Sequence, residues 1–129
     1  MRPFFLIISL VYIFAIFFWA DSPVVQVIGA FNPYSLLHIP LYAVLTFLLM
    51  WAFRSPGAKV GLKRIVLIIC GVGLVAVLDE FHQSFLPTRD ASVTDVALDL
   101  VGISVAAAIC RWAPWAAVLP WRVAALLRK

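Results

Sequence analysis

Residues 3–20 read PFFLIISLVYIFAIFFWA, eighteen positions without a charged side chain. At ~1.5 Å per residue a helix of that length spans about 27 Å, close to the roughly 30 Å hydrocarbon core of a bilayer. A secretory signal is the competing reading, but its apolar core is roughly 7–15 residues and is followed by small residues at the cleavage site. Here bulky Phe18 and Trp19 stand just before Asp21. An uncleaved first transmembrane helix is expected, and with it a backbone that satisfies its own hydrogen bonds.

The rest of the chain follows the same pattern. It is 65% hydrophobic and 12% charged, with mean hydropathy +1.09, against roughly 45–50% and 25% in soluble domains. The fold class expected is all-α: a polytopic membrane protein, a four-transmembrane-helix bundle forming one domain over residues 1–129. Its helices are expected at about 3–20, 36–53, 65–84 and 93–112. Residues 21–35 contain Pro23, Gly29 and Asn32-Pro33 and read as a loop. Ser35 is a candidate N-cap, and Pro40, just past the first turn, is expected to distort the second helix. The third segment is apolar only from Ile65 to Leu78, so it must run on through DEFHQSF to cross. Pro87 ends it. Ser92 followed by Asp95 fits a capping box opening the fourth helix. The tail 113–129, with Trp115, Trp121, Arg122 and Pro120, reads as an interfacial segment rather than a fifth crossing. Cys70 and Cys110 both fall in apolar segments and read as buried thiols. No basic run with interleaved aromatics suggests nucleic-acid binding.

The basic residues set an orientation. With the N-terminus inside, Arg2, Arg54, Lys59, Lys63, Arg64, Arg111, Arg122, Arg128 and Lys129 are cytoplasmic and Arg89 alone is outside. The positive-inside rule therefore expects both termini in the cytoplasm.

The acids fall at the other level. Asp79, Glu80, Asp90, Asp95 and Asp99 are five of the chain's six, and Arg89 alone leaves them an excess of four negative charges. At 100° per residue Asp79, His82 and Gln83 share a face of the third helix, with Glu80 flanking. Asp95 and Asp99 share a face of the fourth with Gly102 and Ala106, a small-xxx-small pair that allows close approach. His38 lies near the outer start of the second helix. Each acid in hydrocarbon costs ~2.5–3.5 kcal/mol if ionised and unpaired, and Asp79 and Glu80 sit where the helix dipole disfavours them. Asp95 is explicable as a cap. Asp79, Glu80 and Asp99 point to function.

The stretch DEFHQSFLPTRDASVTDVALDLVG resembles the signature of the VanZ-like family of small bacterial membrane proteins. Asp79, Glu80, Gln83, Phe85, Pro87 and Arg89 match its first half, and Asp95, Asp99 and Gly102 its second. His38 and Tyr42 in LLHIPLYAVL match its second helix. An acid–lysine pair that often precedes the histidine is replaced by Pro33, Tyr34 and Ser35, and Asp99 stands where Asn is frequent. The resemblance implies the bacterial cytoplasmic membrane, a cell-envelope role and a link to resistance against the glycopeptide teicoplanin.

Three functions stay open on these residues. The first is an outward-facing pocket that binds or modifies an amphiphilic envelope component: a lipid-linked precursor, a phospholipid or a lipidated glycopeptide. In it Asp79 or Glu80 serves as general base, Arg89 holds a phosphate or carboxylate, and His38, Tyr42, His82, Gln83, Asp95 and Asp99 line the site. The second is a proton- or cation-coupled transport accessory, and the third a structural partner of an envelope complex. His38 and His82 with the carboxylates are an alternative ligand set for a divalent metal, but no HExxH-type spacing supports it, so neither metal nor cofactor is expected.

Overall fold

The computed structural model describes residues 2–30, 35–54, 60–89 and 91–112. Regular structure among them is entirely helical: α1 (Pro3–Trp19), α2 (Pro23–Ala30), α3 (His38–Ala52), α4 (Leu62–Gln83) and α5 (Val93–Trp112). α4 and α5 are long and apolar enough to cross a membrane, while α1 and α3 are shorter apolar helices. α3 packs most extensively on α5, with α1 against α3 and α4 against α5. The interhelical core is apolar, built on Leu45, Met50, Ile65, Ile68, Val72, Ile103 and Ala107. The surface is apolar as well: Ile7, Phe14, Leu67, Leu74, Phe81, Val101 and Ile109 are all exposed. Greasy side chains outside and buried carboxylates inside is the distribution that a lipid solvent selects.

Three expectations change here. Residues 21–35 are not all loop, because Pro23–Ala30 forms α2. Pro23 opens the helix, where a missing N–H costs nothing, and Ser22 Oγ accepts from the Val25 N–H at 3.3 Å. Pro40 falls inside the first turn of α3, because that helix begins at His38. An N–H so near the start has no intrahelical acceptor, so the proline need not distort the helix. Ser35 is not a cap; it has φ 53°.

The end of the bundle remote from the acids is tied by basic groups. The backbone N–H of Arg2 donates to Ala52 O at 2.7 Å, and the Arg64 side chain donates from Nη1 to Phe53 O at 3.2 Å. The guanidinium carbons of Arg2 and Arg54 lie 5.3 and 5.7 Å from the Trp51 ring centroid. These cations meet the carbonyl end of α3, where the helix dipole favours them. Cys110 is buried but Cys70 is exposed, so only one thiol is interior. The interfacial tail expected at 113–129, and Asp90, lie outside the described residues.

Candidate functional site

Three helix ends meet opposite the basic end: the start of α3, the end of α4 and the start of α5. Together they bury His38, Tyr42, Asp79, Glu80, Gln83, Asp95 and Asp99, with Asp79 1% and Asp99 0% exposed. The close approach rests on Gly102. A Cβ there would run into Ile39 O and come within 3.0 Å of Ile39 C, so only glycine lets α5 lie this near the α3 backbone.

His38, one residue before that contact, bridges to α5. Its Nδ1 is 2.9 Å from Asp99 Oδ1, and its Nε2 is 3.6 Å from Asp95 Oδ2. One turn on, Tyr42 donates its hydroxyl to Asp79 Oδ2 at 3.1 Å. The Ser92 N–H donates to Glu80 Oε2 at 2.8 Å, joining the end of α4 to the start of α5. Arg89 reaches back along the turn, where its Nε and one terminal nitrogen donate to Gln83 Oε1 at 3.1 and 2.9 Å. Seven of the nine residues expected from the sequence are thus buried together, and Arg89 lies half-buried beside them.

His82 does not join them. It is half-buried with its ring 5.6 Å from that of Phe17 and lines a separate recess with Phe14, Asp21 and Leu86. Glu80, expected only to flank the face, is inside instead. The buried stripe of α4 runs Ile65, Ile68, Val72, Ala76, Asp79, Glu80, Gln83, and its centre lies on the Glu80 side of Asp79. Only half of the capping box forms: Ser92 Oγ caps α5 by accepting from Thr94 N at 3.1 Å, while the Ser92 N–H goes to Glu80 rather than to Asp95. Asp95 is therefore not explained as a cap, and its carboxylate faces His38.

Four carboxylates are buried, and both ion pairs among the described residues use His38. Asp79 Oδ1, Glu80 Oε1 and Asp99 Oδ2 are buried without a hydrogen-bond partner, where each unsatisfied polar atom carries a desolvation cost. His38, Glu80 and Asp95 each offer a ligand atom, all within 4.8 Å of one another. Beside them opens a cavity of about 350 Å³ lined by Tyr12, Ile16, Trp19 and Leu41 on its apolar walls, and by His38, Asp79, Gln83 and Arg89 at its polar end.

Sequence reasoning missed three contributors. Tyr12 lines the cavity and donates to Leu41 O at 3.2 Å; as the one polar aromatic in an otherwise apolar segment it could have been noticed. Asp21 accepts from Thr88 Oγ1 and Gln26 Nε2, tying α2 to the turn after α4. The Ser92 backbone N–H has no signature in a sequence.

The sequence matches the VanZ/LLP1 family over residues 4–114. The chain belongs to that family. The VanZ/LLP1 match takes in every residue of the cluster and ends two residues past α5. VanZ/LLP1 membership and two apolar helices of crossing length indicate a membrane protein. No curated protein and no solved structure matches the chain.

Proposed function

We propose that this VanZ/LLP1 protein is a component of the bacterial cytoplasmic membrane with four transmembrane helices that binds an amphiphilic envelope component through its extracytoplasmic face. The observation that carries the reading is the cavity: apolar walls from α1 and α3 lead to a polar end bearing Asp79, Gln83 and Arg89. At about 350 Å³ it is at the small end of ligand pockets, which run roughly 300–1,000 Å³. It accommodates a headgroup and the start of a chain, leaving the remainder in lipid. Arg89 spends two of its five N–H donors on Gln83, which fixes the guanidinium and leaves donors for a phosphate or carboxylate. Asp79 Oδ1, without a partner, accepts from a headgroup hydroxyl and stands as the base for any proton abstraction. A phospholipid, a lipid-linked wall precursor and a lipidated glycopeptide share that chemistry, which links the site to the glycopeptide-resistance role of the VanZ-like family.

Coupled transport is less well supported. Between the cluster and the basic end the buried side chains include Leu45, Met50, Ile65, Ile68 and Val72, and the polar ones are only the Ser9 and Thr46 hydroxyls and the Cys110 thiol, with no carboxylate or imidazole among the described residues there.

A photo-crosslinking residue at Leu41 in the full chain, reconstituted in nanodiscs, tests the reading. Labelling of a phosphate-bearing lipid should exceed that of a phosphate-free diacylglycerol and fall sharply in Arg89→Gln and Asp79→Asn. Equal labelling of both lipids, unchanged in those variants, refutes it.

A further inference from the structure

We propose that His38 Nε2, Glu80 and Asp95 form a binding site for a divalent first-row transition ion of the Zn²⁺ or Mn²⁺ kind. The inference goes beyond the cavity reading and holds whatever fills that cavity.

Three observations carry it. The first is the convergence of one imidazole nitrogen and two carboxylates from three different helices, with all ligand atoms within 4.8 Å of one another. Two ligands ~2.1 Å from a tetrahedral ion sit roughly 3.4 Å apart, and His38 Nε2 and Asp95 Oδ2 are 3.6 Å apart. That separation is long for a direct hydrogen bond and close to the edge of a coordination shell. The second is Glu80. Its side chain is more than nine-tenths buried, its Oε2 is held by the Ser92 N–H, and its Oε1 is buried without a partner. The third is the state of the imidazole. Asp99 Oδ1, 2.9 Å from His38 Nδ1, fixes the proton on that nitrogen. It thereby leaves the Nε2 lone pair free and aimed at Asp95. Carboxylate–histidine–metal sites are built in this order, with the outer acid orienting the ring.

Charge argues the same way. His38 is the basic side chain in both contacts with Asp95 and Asp99, and as the neutral tautomer it sits among four buried carboxylates without offsetting their charge. A dication relieves that excess where a neutral imidazole cannot. The ligand set chooses its class: imidazole suits zinc, iron and copper, carboxylate suits manganese and the harder ions, and the mixture falls between them. Three protein ligands also leave coordination positions for water or a ligand oxygen, as catalytic rather than structural sites do. A linear motif could not announce the site, because no two of its ligands share a helix.

Purified full-length protein in nanodiscs, stripped with chelator and titrated with Zn²⁺ or Mn²⁺ alone, tests the assignment by calorimetry and elemental analysis. One ion per chain is expected, with X-ray absorption showing nitrogen and oxygen ligands at ~2.0–2.2 Å. Asp99→Asn, which touches no metal, should weaken binding ~10–100-fold by releasing the ring. His38→Ala, Glu80→Gln and Asp95→Asn should each weaken it more, while His82→Asn leaves it unchanged. Circular dichroism and the Tm of each metal-free variant identify any that fail to fold, and the near-isosteric Glu80→Gln and Asp95→Asn then decide. Failure to bind a stoichiometric ion, tighter binding of Ca²⁺ or Mg²⁺, or full affinity in folded Glu80→Gln and Asp95→Asn overturns the proposal. Each of these results leaves the lipid crosslinking from Leu41 free to succeed or fail by itself.

Discussion

Replacing Gly102 by alanine adds one methyl group at the closest approach of α5 to α3, and the structure allows its effect to be worked out. The new Cβ would collide with Ile39 O and sit 3.0 and 3.1 Å from Ile39 C and Cα. All three are backbone atoms, so no side chain can swing aside. Restoring ordinary contact, ~3.5 Å between such atoms, moves the helices apart by about 1 Å. His38 adjoins Ile39, and Asp99 lies one turn before Gly102 on the same face. Their 2.9 Å contact would open to about 3.9 Å, beyond hydrogen-bond range. Overpacking of this kind costs about 1–3 kcal/mol, and a lost hydrogen bond to a charged group about 1.5–3 kcal/mol. The two share one displacement, so the total falls short of their sum, at roughly 2–5 kcal/mol. Chemical unfolding in bicelles followed by circular dichroism measures the stability, and the imidazole ¹⁵N shifts of His38 report whether its bond survives. Two neighbours on α4 serve as controls. Gly71→Ala meets nothing within 4 Å, and Gly73→Ala meets only Leu100 Cδ2 at 3.8 Å. Both should be neutral or stabilising by up to ~1 kcal/mol, since alanine is the better helix former. If Gly102→Ala unfolds within ~0.5 kcal/mol of the parent with unchanged His38 shifts, the close helix contact does not position the site.

Further outcomes follow from single contacts. Tyr42→Phe removes the donor to Asp79 Oδ2 and should cost about 1–3 kcal/mol in the same unfolding assay; Tyr42→Phe with Asp79→Leu should recover most of it, because no buried acceptor is left unsatisfied. Arg89→Lys keeps the charge but cannot reproduce the two-pronged contact with Gln83, so lipid crosslinking from Leu41 should drop nearly as far as in Arg89→Gln. In a background lacking Cys70 and Cys110, a membrane-impermeant maleimide should label Thr88→Cys on intact cells and Lys63→Cys only after permeabilisation; the reverse pattern refutes the proposed orientation.

The location of the site was legible in the sequence, because acids in an apolar chain mark themselves by their cost. The small pair Gly102 and Ala106 also revealed which face of α5 packs inward. What the sequence concealed was rotation. In a soluble helix the polar face shows which side is buried, but along Ile65–Leu78 both the buried and the exposed positions are apolar. The period is invisible there, so nothing decided whether His82 or Glu80 joined Asp79. Contact with α3 and α5 decides it, and that is tertiary information. α2 was missed for a local reason: Pro23 and Gly29 read as breakers, although the first only starts the helix and the second lies in its last turn. Three ligands on three helices likewise leave no spacing to read, which is why the expectation of no metal followed from motifs alone.

The bond from Ser92 N–H to Glu80 has a consequence for genetics. It makes the backbone of the turn between α4 and α5 a wall of the site, beside the Arg89 side chain that the same turn supplies. Alanine at position 92 would remove the Oγ contact to Thr94 N but leave the backbone donor to Glu80 intact. Insertions or deletions within residues 84–92 would instead move that donor off Glu80 and behave as site mutations, though every acidic and basic residue of the cluster stayed in place. Length in this turn therefore bears on the geometry of the cluster as directly as the charged side chains do, and a change in it would mimic the loss of Glu80.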